Sequence, residues 1–276
     1  MGTPTSIEFF PPKTEAGTEN LMAAADQLQA LNPSYFSVTY GAGGSTRDRT
    51  RQVVLNLQQA GYQVAPHLSF GTDDKEIVGS LLQDYVDTGI NRLVALRGDA
   101  PSGIGTNRLR YAKELVEFTR QRFGDHFRIA VACYPEVHPE GQSLSRDIEF
   151  LKGKLDAGAD YAVTQYFYNF QAFLFFRDAC EKTGITQPIY PGIMPITNAE
   201  SLMRFSANCG ACIPRWLRYG LEDQQSEEDL LAFGEDVVTK LCEQLIAADI
   251  PGLHFFTLNR AAPTLNICSR LGLLNS

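Results

Sequence analysis

Eight short runs rich in β-branched and aromatic residues recur along the chain, and their spacing constrains the fold more than any other feature. They are Ser6–Phe10, Tyr35–Tyr40, Val64–Leu68, Arg92–Arg97, Ile129–Tyr134, Tyr161–Tyr166, Pro188–Gly192 and Leu253–Leu258. The first seven begin about 27 to 37 residues apart, the length of one strand–helix unit. The last interval is about twice as long, so extra helices are expected before the final strand. Between the runs the apolar period becomes helical: Leu21, Ala24, Leu28 and Leu31 share one face, as do Val78, Leu81, Leu82 and Tyr85. Gly61, Gly89, Gly158 and Gly184 each precede the next strand, where a helix ends in a left-handed turn. Alternating strands and helices imply a parallel sheet. Eight such units in 276 residues fit a closed (β/α)8 TIM barrel of the α/β class better than an open doubly wound sheet. With no linker or compositional break, one domain over residues 1–276 is expected.

Charge and cysteine usage exclude several partners. Lys and Arg number 24 against 32 Asp and Glu, a net charge of -8, which argues against non-specific nucleic-acid or anionic-membrane binding. No apolar run approaches the ~18 residues of a membrane span. Met1 to Ser6 carries no basic segment followed by an apolar one, so no secretory signal is visible. Six thinly spread cysteines are then expected to be mostly reduced, in a cytoplasmic protein. Cys209-Gly210-Ala211-Cys212 has no second ligand pair for zinc and is followed by Pro214 rather than a helix start. It reads as a loop.

In parallel barrels the active site lies at the C-terminal ends of the strands. Those ends carry Glu8, Thr39-Tyr40, His67, Arg97-Gly98-Asp99, Tyr134 to His138, Gln165, Pro191-Gly192 and Asn259-Arg260. Glu8 stands between Ile7 and Phe9-Phe10-Pro11-Pro12; apolar surroundings would raise its pKa, as suits a general acid. The alternative is a carboxylate paired with a neighbouring Lys or Arg. Arg97-Gly98-Asp99 could orient a polar cofactor or form a local salt bridge. His67 and His138 read equally as packing residues or ligand contacts. GxGxxG after the first strand, GxSxG, HExxH and a strand-end lysine are all absent. Rossmann, hydrolase, metal and Schiff-base chemistry therefore lack support, and no metal is expected.

Read together and in order, these segments resemble the methylenetetrahydrofolate reductase family of the bacterial, single-catalytic-domain type. The carriers are Glu8-Phe9-Phe10-Pro11-Pro12, Ser37-Val38-Thr39-Tyr40-Gly41-Ala42, Ala65-Pro66-His67-Leu68 and Val94-Ala95-Leu96-Arg97-Gly98-Asp99. They continue with Tyr134-Pro135-Glu136-Val137-His138-Pro139, Asp156-Ala157-Gly158-Ala159, Thr164-Gln165, Pro191-Gly192-Ile193 and Thr257-Leu258-Asn259-Arg260.

The resemblance implies a FAD-dependent barrel that reduces 5,10-methylenetetrahydrofolate to 5-methyltetrahydrofolate. A reduced nicotinamide, NADH or NADPH, would be the donor, with hydride passing through the flavin in ping-pong order. By matched motif, Glu8 is the implied general acid and Asp99 the carboxylate beside flavin and pterin. Gln165, Ser201, Phe205 and Arg260 are the implied substrate-binding residues. The implied cofactor-binding set takes Thr39, Tyr40, Ala42 and His67 from the first strands. Arg97, Gly98, Asp99, Tyr111 and Ala112 continue it. Ala132, Tyr134, His138, Asp147 and Lys154 complete it. Ser201 stands where the family often has glutamine, and Phe150 and Gly153 replace polar positions in the FAD-binding helix. Relatives form homo-oligomers, so one is expected here. Two other readings stay open: another FAD barrel, such as a proline-oxidising enzyme, and a folate-binding barrel whose redox activity is lost or depends on a partner.

Overall fold

The computed structural model describes residues 2–40, 44–70, 74–97 and 111–274. Gly98, Asp99 and Ala42 lie outside the described residues. Eight parallel strands close into one barrel in chain order: β1 (Thr5–Phe9), β2 (Phe36–Val38), β3 (Val64–Leu68), β4 (Arg92–Ala95), β5 (Arg128–Cys133), β6 (Tyr161–Tyr166), β7 (Ile189–Ile193) and β8 (Leu253–Phe256). Helices α1 (Glu15–Leu28) to α6 (Phe170–Lys182) follow the first six strands in turn, with α2 at Gly44–Gln59, α3 at Lys75–Asp87, α4 at Ala112–Phe123 and α5 at Leu144–Asp156. The long last interval holds α7 (Ala199–Cys209), α8 (Arg215–Glu222) and α9 (Glu227–Ala247), as expected, and α10 (Ala262–Arg270) follows β8.

Local chemistry sets the helix ends. Thr14, Asp74, Ser143, Asn169, Asn198 and Ser226 each accept a hydrogen bond from a first-turn N–H of the following helix, satisfying donors that helical bonding leaves over. Gly61, Gly89, Gly158 and Gly184 adopt the left-handed φ expected of them.

The strand alternation builds two layers. Ile7, Phe9, Phe36, Val38 and Phe255 face the helices and are buried. Burying each such side chain contributes roughly 1.5–3 kcal/mol. The lumen is filled by a separate cluster of Tyr35, Ala65, Val94, Ala130, Tyr161 and Val163. Arg92 and Arg128, register partners at the start of β4 and β5, lie over the Tyr35 and Tyr161 rings at 5.0 and 5.3 Å. Above this plug the inward positions turn polar: Ser6 and Glu8 on β1, His67 on β3, Gln165 on β6 and His254 on β8. Gly192 on β7 is required by close packing, since a Cβ there would meet Thr164 O at 2.2 Å and the Phe256 ring at 2.5 Å. Among the described residues, no helix is long and apolar enough to cross a membrane.

Candidate active site

A cavity of about 350 Å³ opens at the C-terminal mouth of the barrel. Glu8, Thr39, Gln165 and Phe205 line it, with Phe10, Tyr166, Met194, Cys209, Phe256 and Leu258. Four of the residues read from sequence thus meet in one space. A second cavity, about 370 Å³, lies at the opposite end among Arg92, Arg120 and Arg128. That end serves stability in barrels of this kind, so the mouth is the site.

Glu8 is the centre of the polar cluster. Its Oε2 lies 3.3 Å from His67 Nε2 and 3.3 Å from His254 Nε2. His254 Nδ1 in turn shares a hydrogen bond of 2.8 Å with Ser6 Oγ. All three partners are buried. The expected rise in the Glu8 pKa is overturned. Burial does push the carboxyl up, but the nearby His67 and the hydrogen-bonded His254 outweigh it and hold the group at about 2. The strand neighbours Ile7 and Phe9 alternate to the opposite side of β1 from Glu8.

The rim beside this cluster is held by the loops after β1 and β8. Asn259 accepts from Phe10 N–H at 3.0 Å and donates to Phe10 O at 2.8 Å, tying the two loops together. Leu258 and Asn259 both take left-handed φ, 50° and 59°, a strained pair of the kind that concentrates at functional sites.

The remaining residues fall in two groups. On the β4–α5 side, Arg97 Nη1 pairs with Glu140 Oε2 at 2.6 Å. The Tyr134 and His138 rings meet edge to face at 4.5 Å. Asp147 in the first turn of α5 accepts from His138 N–H at 2.8 Å. Lys154 is turned inward and donates to Ala132 O; burial lowers its pKa. Tyr111 caps α4 and is exposed, while Ala112 is buried behind it. Tyr40 is half-buried after β2. On the other side, Gln165 Oε1 accepts from Tyr166 N–H at 3.0 Å. Ser201 lies one turn before Phe205, with its N–H given to Asn198, and Arg260 is exposed beyond β8. Neither Ser201 nor Arg260 reaches the cavity wall.

His254 and Ser6 join the Glu8 cluster from positions that sequence reasoning does not single out, and Tyr166 lines the cavity beside them. Attention to strand ends passes over His254, the second residue of β8. The available signal is its alternation: His254 and Phe256 share the lumen face while Leu253 and Phe255 share the other.

Comparison with known proteins agrees with this fold. The family model described as methylenetetrahydrofolate reductase matches residues 2–272. The chain is 39% identical over 271 residues to the 5,10-methylenetetrahydrofolate reductase of Pectobacterium carotovorum, covering 97% of this chain and 89% of that one. It is 38% identical to the Escherichia coli protein of the same name, covering 97% and 90%. A rice (Oryza sativa) protein named probable methylenetetrahydrofolate reductase (NADH) is 37% identical, with 98% of this chain aligned to 48% of that one. Among solved structures, a Clostridium thermocellum protein described as binding two copies of 5-methyl-5,6,7,8-tetrahydrofolic acid shares the fold. Its TM-score is 0.68 at 14% identity, over 97% of this chain and 93% of that one. On the family match and these identities, the chain belongs to the methylenetetrahydrofolate reductase family.

Proposed function

We propose that the protein reduces 5,10-methylenetetrahydrofolate to 5-methyltetrahydrofolate at the barrel mouth, with FAD as cofactor, NAD(P)H as donor and a ping-pong order. The observation that carries this reading is the meeting of Glu8, Gln165 and Phe205 in one cavity of about 350 Å³. An ionisable group, an amide and an aromatic face are what a pterin needs: a proton source, paired hydrogen bonds and a stacking surface.

The residues on the β4–α5 side suit a flavin dinucleotide. Lys154 is a half-buried ammonium with no carboxylate in ion-pair range among the described residues, and one carbonyl is its partner. An anion such as a pyrophosphate would satisfy it better. Arg97, at the rim, adds a second cation, and Tyr134, His138 and exposed Tyr111 add aromatic surface. When bound, FAD supplies the hydride chemistry.

The chain's own residues supply position and the proton. In the open protein Glu8 is ionised. A ligand that fills the cavity expels water and removes what solvation Glu8 Oε2 has left. That strengthens the effect of burial and favours a protonated Oε2, from which the proton can pass to a ring nitrogen of the folate. Ser6 keeps His254 oriented during the exchange. Gln165, with Oε1 occupied by Tyr166 N–H, presents its amide N–H groups to the pterin. Asp99, beside the flavin in this reading, would stabilise positive charge on the substrate. Arg260, exposed at the rim, is suited to the carboxylates of the folate tail. A single catalytic domain over 1–276, a cytoplasmic location and a homo-oligomeric state belong to the same reading.

The test is the visible spectrum of the purified protein supplied with FAD. NADH or NADPH should bleach the flavin band anaerobically, and methylenetetrahydrofolate should restore it. A folded protein that stays colourless with FAD, or whose flavin band neither nicotinamide bleaches, refutes the reading.

A further inference from the structure

Helix α7 carries Phe205; besides the buried Leu202, a small polar network at the edge of the cavity joins it to the barrel. Tyr166, the last residue of β6, reaches across to it. The Tyr166 hydroxyl shares a hydrogen bond of 3.1 Å with Ser206 Oγ and accepts from the Cys209 thiol at 3.3 Å. Ser206 and Cys209 are three apart and therefore lie on one face of α7. Ser206 is buried, whereas Phe205, the next residue round the helix, is 37% exposed and stands at the cavity. The Tyr166 ring is itself fixed, edge to face with Tyr168 at 6.0 Å and Phe256 at 6.3 Å. Burial keeps the phenol protonated, its pKa raised above the ordinary value. The loop directly after α7 is also tied down: the Cys212 N–H donates to Glu136 Oε2 at 2.7 Å, and Gly210 packs close to Pro139.

We infer that the Tyr166 hydroxyl is a positioning residue, clasping α7 to β6 so that Phe205 is held over the cavity. The inference rests on the proposed reading in one respect, that Phe205 meets the folate. Tyr166→Phe removes the hydroxyl alone and keeps the ring contacts. One neutral hydrogen bond corresponds to a loss of about three- to tenfold in an equilibrium.

Two measurements test it. In the free protein, Tyr166→Phe should speed hydrogen exchange of the α7 amides by about three- to tenfold while β6 is unchanged. For binding, the dissociation constant of 5-methyltetrahydrofolate, measured by calorimetry with FAD present, should rise by about three- to tenfold in Tyr166→Phe. In a Phe205→Ala background the same substitution should change it by less than about twofold, because a clasp acting through Phe205 has nothing left to position. Unchanged α7 exchange, or an equal binding loss with and without Phe205, overturns the inference. If the unaltered protein binds no folate, the functional reading falls, and the exchange experiment still decides the clasp.

Discussion

The buried carboxylate gives the sharpest prediction. Glu8→Gln keeps the shape of the side chain and removes its titration. Lowering the carboxyl from 4.5 to about 2 on folding corresponds to about 3 kcal/mol of preference for the charged form, at about 1.36 kcal/mol per tenfold. This is an upper figure, because 14% of the Glu8 side chain still meets solvent. The folded pKa is depressed, so the stabilisation is present above the unfolded value and is lost as pH falls through the folded one. The part of the difference in urea-unfolding free energy between the unaltered protein and Glu8→Gln that comes from this shift should therefore be almost complete at about pH 5. It should then narrow by about 2 kcal/mol on reaching pH 3. Urea titrations of both proteins at four or five pH values read this directly. A difference that stays constant from pH 5 to pH 3 would mean a carboxyl whose pKa folding does not lower. The paired-imidazole account of the site would then be wrong.

Four further outcomes follow from the same geometry. In a His254→Asn background, which removes one of two equidistant imidazoles, burial gains weight over the remaining pairing; the narrowing just described should begin at higher pH, read by the same urea titrations. Gly192→Ala drives a Cβ into Thr164 O and the Phe256 ring; it should cost about 1–3 kcal/mol or more and lower the melting temperature by several degrees in calorimetry. Asn259→Ala removes both bonds to the Phe10 backbone and leaves a Cβ residue at left-handed φ; a loss of about 1–3 kcal/mol is expected from denaturant unfolding. Lys154→Met should weaken FAD binding by about tenfold or more, measured by flavin fluorescence, because a charge-assisted contact is lost.

Most of the architecture was legible because the barrel repeats one physical unit eight times. The runs at Val64–Leu68 and Tyr161–Tyr166 coincide with β3 and β6. The run at Tyr35–Tyr40 overran β2, which is Phe36–Val38. Thr39 and Tyr40 leave the sheet to reach the rim, and Tyr35 turns into the lumen beneath Arg92; both segments have β composition without ladder pairing on each side. The site was legible only as a set of strand ends. Residue type revealed that Glu8 belonged there, but its electrostatic state depends on His254, 246 residues away. Burial by Ile7 and Phe9 was inferred from chain neighbours, whereas in a strand those neighbours face the opposite side. The CxxC was read as a loop, yet Cys209 ends α7 and touches Tyr166; the helix there depends on packing that its short polar sequence does not advertise.

The seam between first and last strands explains why the acid cluster can exist at all. Ser6 pairs in register with His254, and Glu8 with Phe256. A slip of one residue would turn His254 towards the helices and bring Phe255 into the lumen. What prevents the slip is apolar: Ile7, Phe9 and Phe255 are all almost completely buried on the helix side and would have to exchange places with polar groups. The alternation that secures the core therefore also secures the polar line of Ser6, His254 and Glu8. His67 reaches the same oxygen from β3 on the other flank, so the carboxylate is gripped from both sides of the closure. An isolated buried carboxylate would cost several kcal/mol or be neutral. Placed at the seam it is charged, and its counter-groups arrive only when the barrel closes. The proton chemistry proposed for this site is thus a property of the closed barrel and not of any one strand.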